Sequence, residues 1–583
     1  MSGSSVEPFD RAIKLQRDGH AAEAEAAYRV AIDAAPGHAP SAYNNLASLL
    51  HARGAHAEAE ECWSSAIRIA PQFASAHANL ATALLQTGQR RKAWQILRRA
   101  VGVAPHASSL YTRMGSIIAT SRRRGAGAGL QSLPVEARRA AASIALTAAR
   151  LAPAEPSSWQ NLGLALASLG GNATRAAGRA HRRAIKLDPL SADAHLGLAS
   201  TQPRDAAVGT LRTAIALTSS GRMRGPSAAL YYNLGNLLHH GRHEDGAEDL
   251  LEMEFLERDE YSEEELEIAK RVARTWTGSL MLLRPAEAAA LSGLEAARHF
   301  EQAARLQPSS SDAYYNLALA PQQAHIDVPA KTIAAYAHAL RIAPAEPKIW
   351  SRYITTLAWA GKAAESRSLA DAAVAAGIFE RFDQRPALLV RGLQPAPWVD
   401  DPERVYAPLV ETLKKAHGVF LDTLDYLVSM GHMVPQSEGL QEPGQQWDVF
   451  DLGATCGADG SHVFKWVAPA CNWYHRLRKV GAQATPPCPP LKVQFSTMDP
   501  GLHVRPHTGP TNAKLTLHWG LEVPKGARIR VANETRPFVE RGLIAFDDSF
   551  EHEVWNRAKT HRTTLVLHVR NPDVPPGVTL PGS

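Results

Sequence analysis

A 34-residue internal repeat is the feature of this 583-residue chain that most restricts its fold. The segment "NNLASLLHARGAHAEAEECWSSAIRIAP" begins at Asn44, and "ANLATALLQTGQRRKAWQILRRAVGVAP" begins 34 residues later, at Ala78. Related copies follow near Asn161 and Tyr231. Apolar residues at i, i+3, i+4 and i+7 predict two helices per copy, each with one buried stripe. Because one helix pair cannot bury its apolar face alone, we expect a stacked solenoid over residues 1–382.

Turns and interruptions divide these copies. Gly54 and Gly88 lie between the two apolar stripes of their copies, where a turn must end the first helix. The segment that begins at Ser121 leaves the register and is predicted to be an insertion. A later acidic stretch contains Ser262 and Glu265 in a capping box, which predicts a helix start rather than disorder.

The sequence pattern changes near residue 385. The proline-rich segment "DQRPALLVRGLQPAPWVDDP" predicts a linker or docking strap, assigned to residues 383–400. In residues 401–583, short alternating runs such as "LKVQFSTM", "KLTLHWGLEV", "ARIRVAN", "GLIAFDD" and "RTTLVLHVR" predict antiparallel strands. Regular short strands of this kind are typical of a sandwich or jelly roll. The predicted fold class is therefore multidomain α + β, with an all-α solenoid followed by a β domain.

Composition excludes some functions. The 63 basic and 57 acidic residues are well mixed, so the net charge of +6 gives no basic patch that would indicate nucleic-acid binding. No apolar run reaches the roughly 18 residues that a transmembrane helix needs. The N-terminal residues lack the pattern of a secretory signal, so we expect a cytoplasmic protein.

The cysteines are few and scattered. They are Cys62, Cys456, Cys471 and Cys488. This number and spacing fit neither a disulfide framework nor a zinc cluster. We therefore expect reduced thiols.

Alternation along two predicted strands places polar side chains on one face. Lys514, Thr516 and His518 share one side of their strand, and Arg562 and Thr564 share a side of another. Such a face is unfavourable if it is buried and empty, but it suits a cavity that holds a polar ligand. Exposure of the same face to solvent explains the pattern equally well at this stage.

Two histidines lie near predicted strand ends. His507 precedes the turn-like "HTGPTN", and His552 follows the strand "GLIAF". Imidazole at such places is a metal ligand, an acid–base group or an ordinary packed side chain. Two strand ends of a small barrel can reach one metal ion, and neutral imidazole suits Fe, Zn, Cu or Ni.

The strings "HTGPTN", "VANET" and "FDDSFEHEVWN" closely resemble the aspartyl/asparaginyl β-hydroxylase family, and the repeats resemble the tetratricopeptide repeat (TPR) family. The first resemblance implies an Fe(II)- and 2-oxoglutarate-dependent oxygenase with a double-stranded β-helix, or jelly-roll, fold. Part of that family carries helical repeats before the oxygenase domain, in the order found here.

The resemblance implies that His507 and His552 are the two iron ligands, with no catalytic side chain beyond them. Relatives in the wider superfamily add a carboxylate two residues after the first histidine. That position is Gly509 here, which matches the family's two-histidine iron site. Asp547 and Asp548 are expected to act as hydrogen-bond acceptors near the site and not as ligands.

The resemblance also assigns the cosubstrate to five side chains, Trp447, Ser496, Lys514, His518 and Arg562. A guanidinium such as that of Arg562 can donate two parallel hydrogen bonds to a carboxylate. Many family members have an arginine at the position of Thr516, so here Lys514 is expected to replace it or the inner carboxylate is held differently.

These features together imply a hydroxylase that uses Fe(II), 2-oxoglutarate and O2. The expected substrate is the β-carbon of an Asp or Asn side chain in a protein or peptide that the TPR solenoid presents. One alternative keeps the chemistry but acts on a small molecule or lipid. Another is a TPR scaffold with a degenerate oxygenase domain.

Overall fold

The computed structural model describes residues 6–36, 39–120, 135–218, 227–239, 285–323, 329–436, 440–441, 445–456 and 465–575. The predicted insertion at Ser121 and the predicted helix start at Ser262 lie outside these residues. The chain divides into two compact units, Met1–Leu234 and Gly235–Ser583.

Antiparallel helices form the first unit. The helices are α1 (Val6–Arg17), α2 (Ala21–Ala34), α3 (Pro40–Ala52), α4 (His56–Ile69), α5 (Ala74–Gln86), α6 (Arg90–Val103), α7 (Ser108–Thr120), α8 (Val135–Leu151), α9 (Pro156–Leu169), α10 (Ala173–Leu187), α11 (Ala192–Ala199), α12 (Arg204–Thr218) and α13 (Ser227–His239), the last of which crosses the unit boundary.

Alanine and glycine explain the packing of these helices. Buried alanines such as Ala24, Ala59 and Ala93 are fully inaccessible and let neighbouring helices approach closely. Gly54 and Gly88 have φ angles of 91° and 80°, in the left-handed region that glycine adopts without a steric cost. Both glycines follow a helix and precede the next one, so the predicted turns are confirmed.

Helical hairpins continue into the second unit. They consist of α14 (Pro285–Leu306), α15 (Ser311–Gln323), α16 (Pro329–Ile342), α17 (Pro347–Trp359) and α18 (Ala363–Ala375). Further helices accompany the sheets of this unit: α19 (Pro402–Val405), α20 (Ala407–Ser429), α21 (Leu452–Thr455) and α22 (Ala468–Gln483).

Two antiparallel sheets follow in the same unit. Their strands are β1 (Val434–Pro435), β2 (Trp447–Asp451), β3 (Lys492–Met498), β4 (His503–His507), β5 (Lys514–Glu522), β6 (Ala527–Val531), β7 (Glu534–Pro537), β8 (Leu543–Phe546), β9 (His552–Asn556) and β10 (Arg562–Arg570). The larger sheet has the order β1-β2-β3-β10-β5-β8, and the smaller has the order β4-β9-β6-β7. The strands predicted from alternation appear as β3, β5, β6, β8 and β10.

The large sheet separates two apolar clusters. Leu515, Leu517 and Trp519 of β5 pack with residues of α20 and α22, including Phe420 and Leu477. The other cluster joins residues of both sheets, among them Ile529, Phe546 and Val554. The polar residues between Leu515, Leu517 and Trp519 along β5 therefore point to the side where the two sheets meet.

The strap, residues 383–400, is bonded to the β region along its length. Three backbone N–H groups of the strap donate to carbonyl oxygens of the β region. Arg385 donates to Ser549 at 3.1 Å, Leu388 donates to Pro510 at 2.9 Å, and Val399 donates to Ala545 at 3.0 Å. Ser549 and Pro510 each lie three residues from one of the two histidines of interest, and Ala545 belongs to β8.

One cysteine expectation is wrong. Cys456 and Cys471 form a disulfide, so they are not reduced thiols, whereas Cys62 and Cys488 are free. The pair joins the end of α21 to α22, whose packing on the large sheet brings together side chains that are 15 residues apart. Among the described residues, no helix combines the length and the apolar character that a membrane crossing requires.

Candidate active site

His507 and His552 lie opposite each other on adjacent strands. His507 ends β4, His552 begins β9, and the two residues are direct partners in the antiparallel register. Their ring centroids are 4.2 Å apart. The sequence placed them at strand ends, but only the pairing of β4 with β9 brings residues 45 positions apart together.

Hydrogen bonds orient both rings. Nδ1 of His507 lies 2.8 Å from the Arg505 carbonyl oxygen, and Nδ1 of His552 lies 2.9 Å from the Phe550 carbonyl oxygen. A carbonyl only accepts, so each Nδ1 carries a proton, and Nε2 is the nitrogen that has the lone pair when the ring is neutral. Burial first, and then the neighbouring His507, lower the pKa of His552 to about 3. The pair is thus suited to bind a transition metal through neutral imidazole.

Gly509 and Asp548 explain the absence of a third side-chain ligand. A Cβ atom at position 509 would lie 2.5 Å from Cγ of Asp548, so no side chain fits there without displacing that carboxylate. The Gly509 N–H also donates to the Asp548 backbone oxygen at 2.6 Å. Among the described residues, no cluster of three or more His, Cys, Asp or Glu side chains could hold a metal. Gly509 therefore offers no side chain to a metal at this point, and the assignment of His507 and His552 as metal ligands stays a prediction.

Asp548 is itself held by the neighbouring strand. It forms an ion pair with Lys514 and accepts a 2.9 Å hydrogen bond from the Thr516 hydroxyl. Burial would raise the pKa of Asp548, but Lys514, with His568 and His552, lowers it below the ordinary value. The charge of Lys514 is therefore matched within the protein, and its assignment to the cosubstrate stays a prediction.

Arg562 is a buried cation that pairs with no carboxylate among the described residues. Only 1% of this residue is exposed, and burial lowers its pKa to about 9. Its Nη1 donates to the Thr564 hydroxyl at 3.0 Å, and the guanidinium lies 4.3 Å from the Phe538 ring centroid. Its Nε has no hydrogen-bond partner, and no carboxylate pairs with it among the described residues. An uncompensated buried charge of this kind is strongly unfavourable unless an anionic ligand completes it.

Three other predicted residues, Trp447, Ser496 and His518, are linked to Thr564, whose hydroxyl accepts from this guanidinium. Ser496 on β3 is directly opposite Thr564 on β10, and the Trp447 indole donates to the Ser496 hydroxyl at 2.9 Å. Nδ1 of His518 lies 3.3 Å from the Thr564 hydroxyl oxygen. Ser496, His518 and Thr516 are 1%, 9% and 4% exposed, so this polar face does not face solvent. The alternative of a solvent-exposed face is excluded for these positions.

Thr564 and Phe538 are site residues that the sequence analysis did not assign. The Thr564 hydroxyl oxygen accepts from Arg562 and lies within hydrogen-bond distance of His518 Nδ1, so it links the guanidinium to the imidazole. Burial first, and then Arg562, lower the pKa of His518 well below its ordinary value. Strand alternation placed Thr564 on the Arg562 face and could have identified it, but no sequence signal links Phe538 to Arg562.

The comparisons with known proteins match the helical repeats and the β region to two different families. Residues 422–572 match the family described as aspartyl/asparaginyl beta-hydroxylase, and residues 40–73 match the tetratricopeptide repeat. Over 205 residues the chain is 36% identical to the aspartyl/asparaginyl beta-hydroxylases of Mus musculus and Homo sapiens, covering 34% of this chain and 26% of each relative. The chain thus spans about a quarter of the length of these curated relatives.

A lipid-modifying protein is also similar. The ornithine lipid ester-linked acyl 2-hydroxylase of Rhizobium tropici is 44% identical over 80 residues, which cover 13% of this chain and 28% of that protein. Among solved structures, a tetratricopeptide repeat protein from Parabacteroides merdae aligns with a TM-score of 0.33 at 13% identity, covering 54% of this chain and 98% of that one.

Proposed function

Residues 422–572 belong to the aspartyl/asparaginyl beta-hydroxylase family and residues 40–73 to the tetratricopeptide repeat, and from this premise we propose that the protein is an Fe(II)- and 2-oxoglutarate-dependent hydroxylase. In this proposal the two antiparallel sheets form a jelly-roll oxygenase domain over residues 401–583. The strap at residues 383–400 precedes it, and a TPR solenoid fills residues 1–382.

One observation carries the proposal: a pair of adjacent histidines, each with Nδ1 bonded to a carbonyl oxygen, and a buried guanidinium with no carboxylate partner among the described residues belong to the same β region. His507 and His552 would hold the metal through Nε2. Arg562 would bind the distal carboxylate of 2-oxoglutarate, whose charge removes the cost of burying the guanidinium. A metal and a dicarboxylate together satisfy both features, which neither would do alone.

The other residues have supporting tasks. When bound, Fe(II) and 2-oxoglutarate would allow O2 to hydroxylate a substrate C–H bond while 2-oxoglutarate is converted to succinate and CO2. Ser496 and Trp447 would line the cosubstrate cavity, and Thr564 would hold His518 in one orientation beside it. Asp548, fixed by Lys514 and Thr516, has a buried Oδ1 without a hydrogen-bond partner among the described residues and would accept a hydrogen bond beside the metal site.

We propose an Asp or Asn side chain of a protein or peptide as the substrate, hydroxylated at the β-carbon and presented by the solenoid. The names of the mouse and human relatives support the residue type, and the repeats support a polypeptide partner. The lipid hydroxylase relative favours a second candidate, the same chemistry on a lipid acyl chain. A scaffold with a degenerate domain is disfavoured because both histidines and Arg562 are retained.

The test starts with the full-length protein, Fe(II), ascorbate and 2-oxoglutarate. We expect 2-oxoglutarate and metal to raise the melting temperature, and we expect succinate to form unless His507 is replaced in a His507→Ala variant. A protein that binds neither metal nor 2-oxoglutarate would refute the proposal. Separate incubation with a protein extract and a lipid extract of the host, followed by a mass search for +16 Da products, distinguishes the two substrates.

The compartment is a separate proposal. The sequence predicts a cytoplasmic protein, whereas the Cys456–Cys471 disulfide is of the kind that persists in oxidising compartments. Alkylation of the protein in intact host cells, followed by peptide mass spectrometry, distinguishes a reducing from an oxidising compartment. Alkylated Cys456 and Cys471 would be free thiols and would support the cytoplasm, whereas cysteines that escape alkylation would be disulfide-bonded and would oppose it.

A further inference from the structure

The strand that carries His507 is weakly held by its own sheet. β4 is an edge strand of the order β4-β9-β6-β7, so only one side pairs with another strand of that sheet. The register with β9 shifts between Val504 and His507. Pro506 precedes His507 and has no N–H to donate. Backbone pairing toward β9 is therefore interrupted immediately before the histidine.

Bonds from outside the sheet compensate for this interruption. On the open edge of β4, the Arg505 N–H donates to the Leu440 carbonyl oxygen at 2.9 Å. At the next residue, the indole N–H of Trp359 donates to the Pro506 carbonyl oxygen at 2.9 Å. The Arg505 guanidinium lies 4.0 Å from the centroid of the same indole, and Trp359 packs against the apolar cluster between the sheets.

Trp359 is the last residue of the solenoid helix α17, and a second residue of this helix acts in the same place. Ser351 lies 3.1 Å from the Thr508 hydroxyl oxygen, and that hydroxyl donates to the Arg385 carbonyl oxygen at 2.9 Å. Since the Thr508 proton is used in this bond, Ser351 is the donor to Thr508. Helix α17 thus bonds to the residues on both sides of His507.

His552 does not have this dependence. Its strand, β9, lies inside the sheet and pairs with β4 on one side and β6 on the other. His552 itself has two strand partners, His507 and Val531. The edge position makes His507 the ligand whose placement requires an external support.

We infer that Trp359 is a positioning residue for the metal centre: its indole N–H fixes the Pro506 carbonyl and thereby holds His507 at the distance from His552 that one metal ion requires. The inference rests on the proposed function, because it concerns the metal of that same site. It makes helix α17 of the solenoid a part of the active site and not only a surface for substrates.

A pair of matched variants of the full-length protein tests this inference. Trp359→Phe keeps an aromatic ring in the cluster but removes the N–H donor. Trp350→Phe makes the same change on the same helix, where the indole donates to the Pro344 carbonyl oxygen at 2.8 Å and packs with Ile354 and Phe379 of a different apolar cluster. Co²⁺ serves as the probe, titrated into the metal-free proteins and followed by its visible absorption, with melting temperatures measured alongside.

We expect Trp359→Phe to weaken Co²⁺ binding at least about tenfold and to change the absorption of bound Co²⁺, as changes behind a metal ligand typically do. Trp350→Phe should bind Co²⁺ within about twofold of the unaltered protein. Equal binding by the unaltered protein and Trp359→Phe would overturn the inference alone, and so would equal weakening by both variants. Failure of the unaltered protein to bind Co²⁺ would overturn the proposed function and the inference together.

A second pair keeps the inference testable if a tryptophan variant fails to fold. Ser351→Ala removes the hydroxyl that donates to Thr508. Ser366→Ala removes an equally buried hydroxyl that donates to the Ile354 carbonyl oxygen at 2.8 Å, within the helical hairpin. We expect Co²⁺ affinity to fall several-fold in Ser351→Ala only, and an unchanged affinity in Ser351→Ala would contradict the role of α17.

Discussion

Replacement of Arg562 by methionine should stabilise the empty protein and weaken cosubstrate binding strongly. Methionine retains most of the side-chain length and removes the charge. The decrease in the pKa of Arg562 from its ordinary 12.5 to about 9 corresponds to roughly 5 kcal/mol of free energy opposing the buried charge. Loss of the bond to Thr564 and imperfect packing offset part of this gain, so we expect a stabilisation of about 2 kcal/mol.

The same replacement should weaken the binding of 2-oxoglutarate. A guanidinium that donates two hydrogen bonds to a carboxylate contributes at least about 3 kcal/mol, so its loss should raise the dissociation constant of 2-oxoglutarate roughly a hundredfold. The assay is thermal unfolding of the metal-loaded protein with and without 2-oxoglutarate. For the variant we expect a melting temperature raised by about 4–8 °C without 2-oxoglutarate and no further increase when 2-oxoglutarate is added.

Two controls separate charge from shape. Arg528→Met removes an exposed guanidinium of β6 and should change the unfolding free energy by less than about 0.5 kcal/mol. Arg562→Lys keeps a buried charge without the planar fork, so it should weaken 2-oxoglutarate binding without stabilising the empty protein. If Arg562→Met destabilises the empty protein and leaves 2-oxoglutarate binding intact, Arg562 is a structural residue and the reasoning is wrong.

Three further predictions concern stability. Both ring nitrogens of buried His181 lack hydrogen-bond partners among the described residues, and burial lowers its pKa to about 4. Below about pH 6.5 the imidazole of His181 is protonated in the unfolded chain but stays neutral in the folded protein, so up to ~3 kcal/mol of folding stability should be lost between pH 6.5 and 4. Denaturation curves across that pH range should show that His181→Leu removes this loss. A Cβ at Gly163 would lie 2.5 Å from the His181 ring, whereas one at Gly209 meets nothing within 4 Å. Gly163→Ala should therefore destabilise by about 1–3 kcal/mol and Gly209→Ala stabilise by up to about 1 kcal/mol, and the reverse order in urea unfolding would contradict this packing. Burial raises the pKa of Asp547 to about 7, so the folded protein retains a proton that the unfolded chain loses above its ordinary value of 3.8. The free energy of unfolding should therefore fall as pH rises from about 3.8 toward 7, because the carboxyl group of Asp547 must lose its proton while buried. Asp547→Asn should have a higher melting temperature than the unaltered protein at pH 8 but not at pH 4.

Local pattern alone was sufficient for some parts of the fold. The turns at Gly54 and Gly88 need positive φ angles, which glycine adopts irrespective of distant contacts. The alternation in β5 predicted that Thr516 and His518 share a face, because side chains alternate along any strand. Neither feature requires knowledge of which elements pack together.

The short strands β4 and β9 were not predicted. β4 contains a proline and a register shift, and β9 contains only five residues, so neither shows a regular alternating run. The disulfide was missed for a related reason: the proximity of Cys456 and Cys471 depends on how α21 and α22 meet over the large sheet. Features that require two distant segments have no local pattern that identifies them.

By itself, the sequence determined the helical repeat, several strands and, through resemblance, the residues His507, His552 and Arg562. These depend on periodicity and residue type, which are properties of consecutive positions. Only the tertiary structure decided that Asp548 occupies the space beside Gly509, that Lys514 is paired, that Arg562 is buried without an anion and that Trp359 of α17 bonds next to His507. Burial, charge compensation and hydrogen bonding between segments that are distant in the sequence arise from packing, and packing is a property of the folded chain.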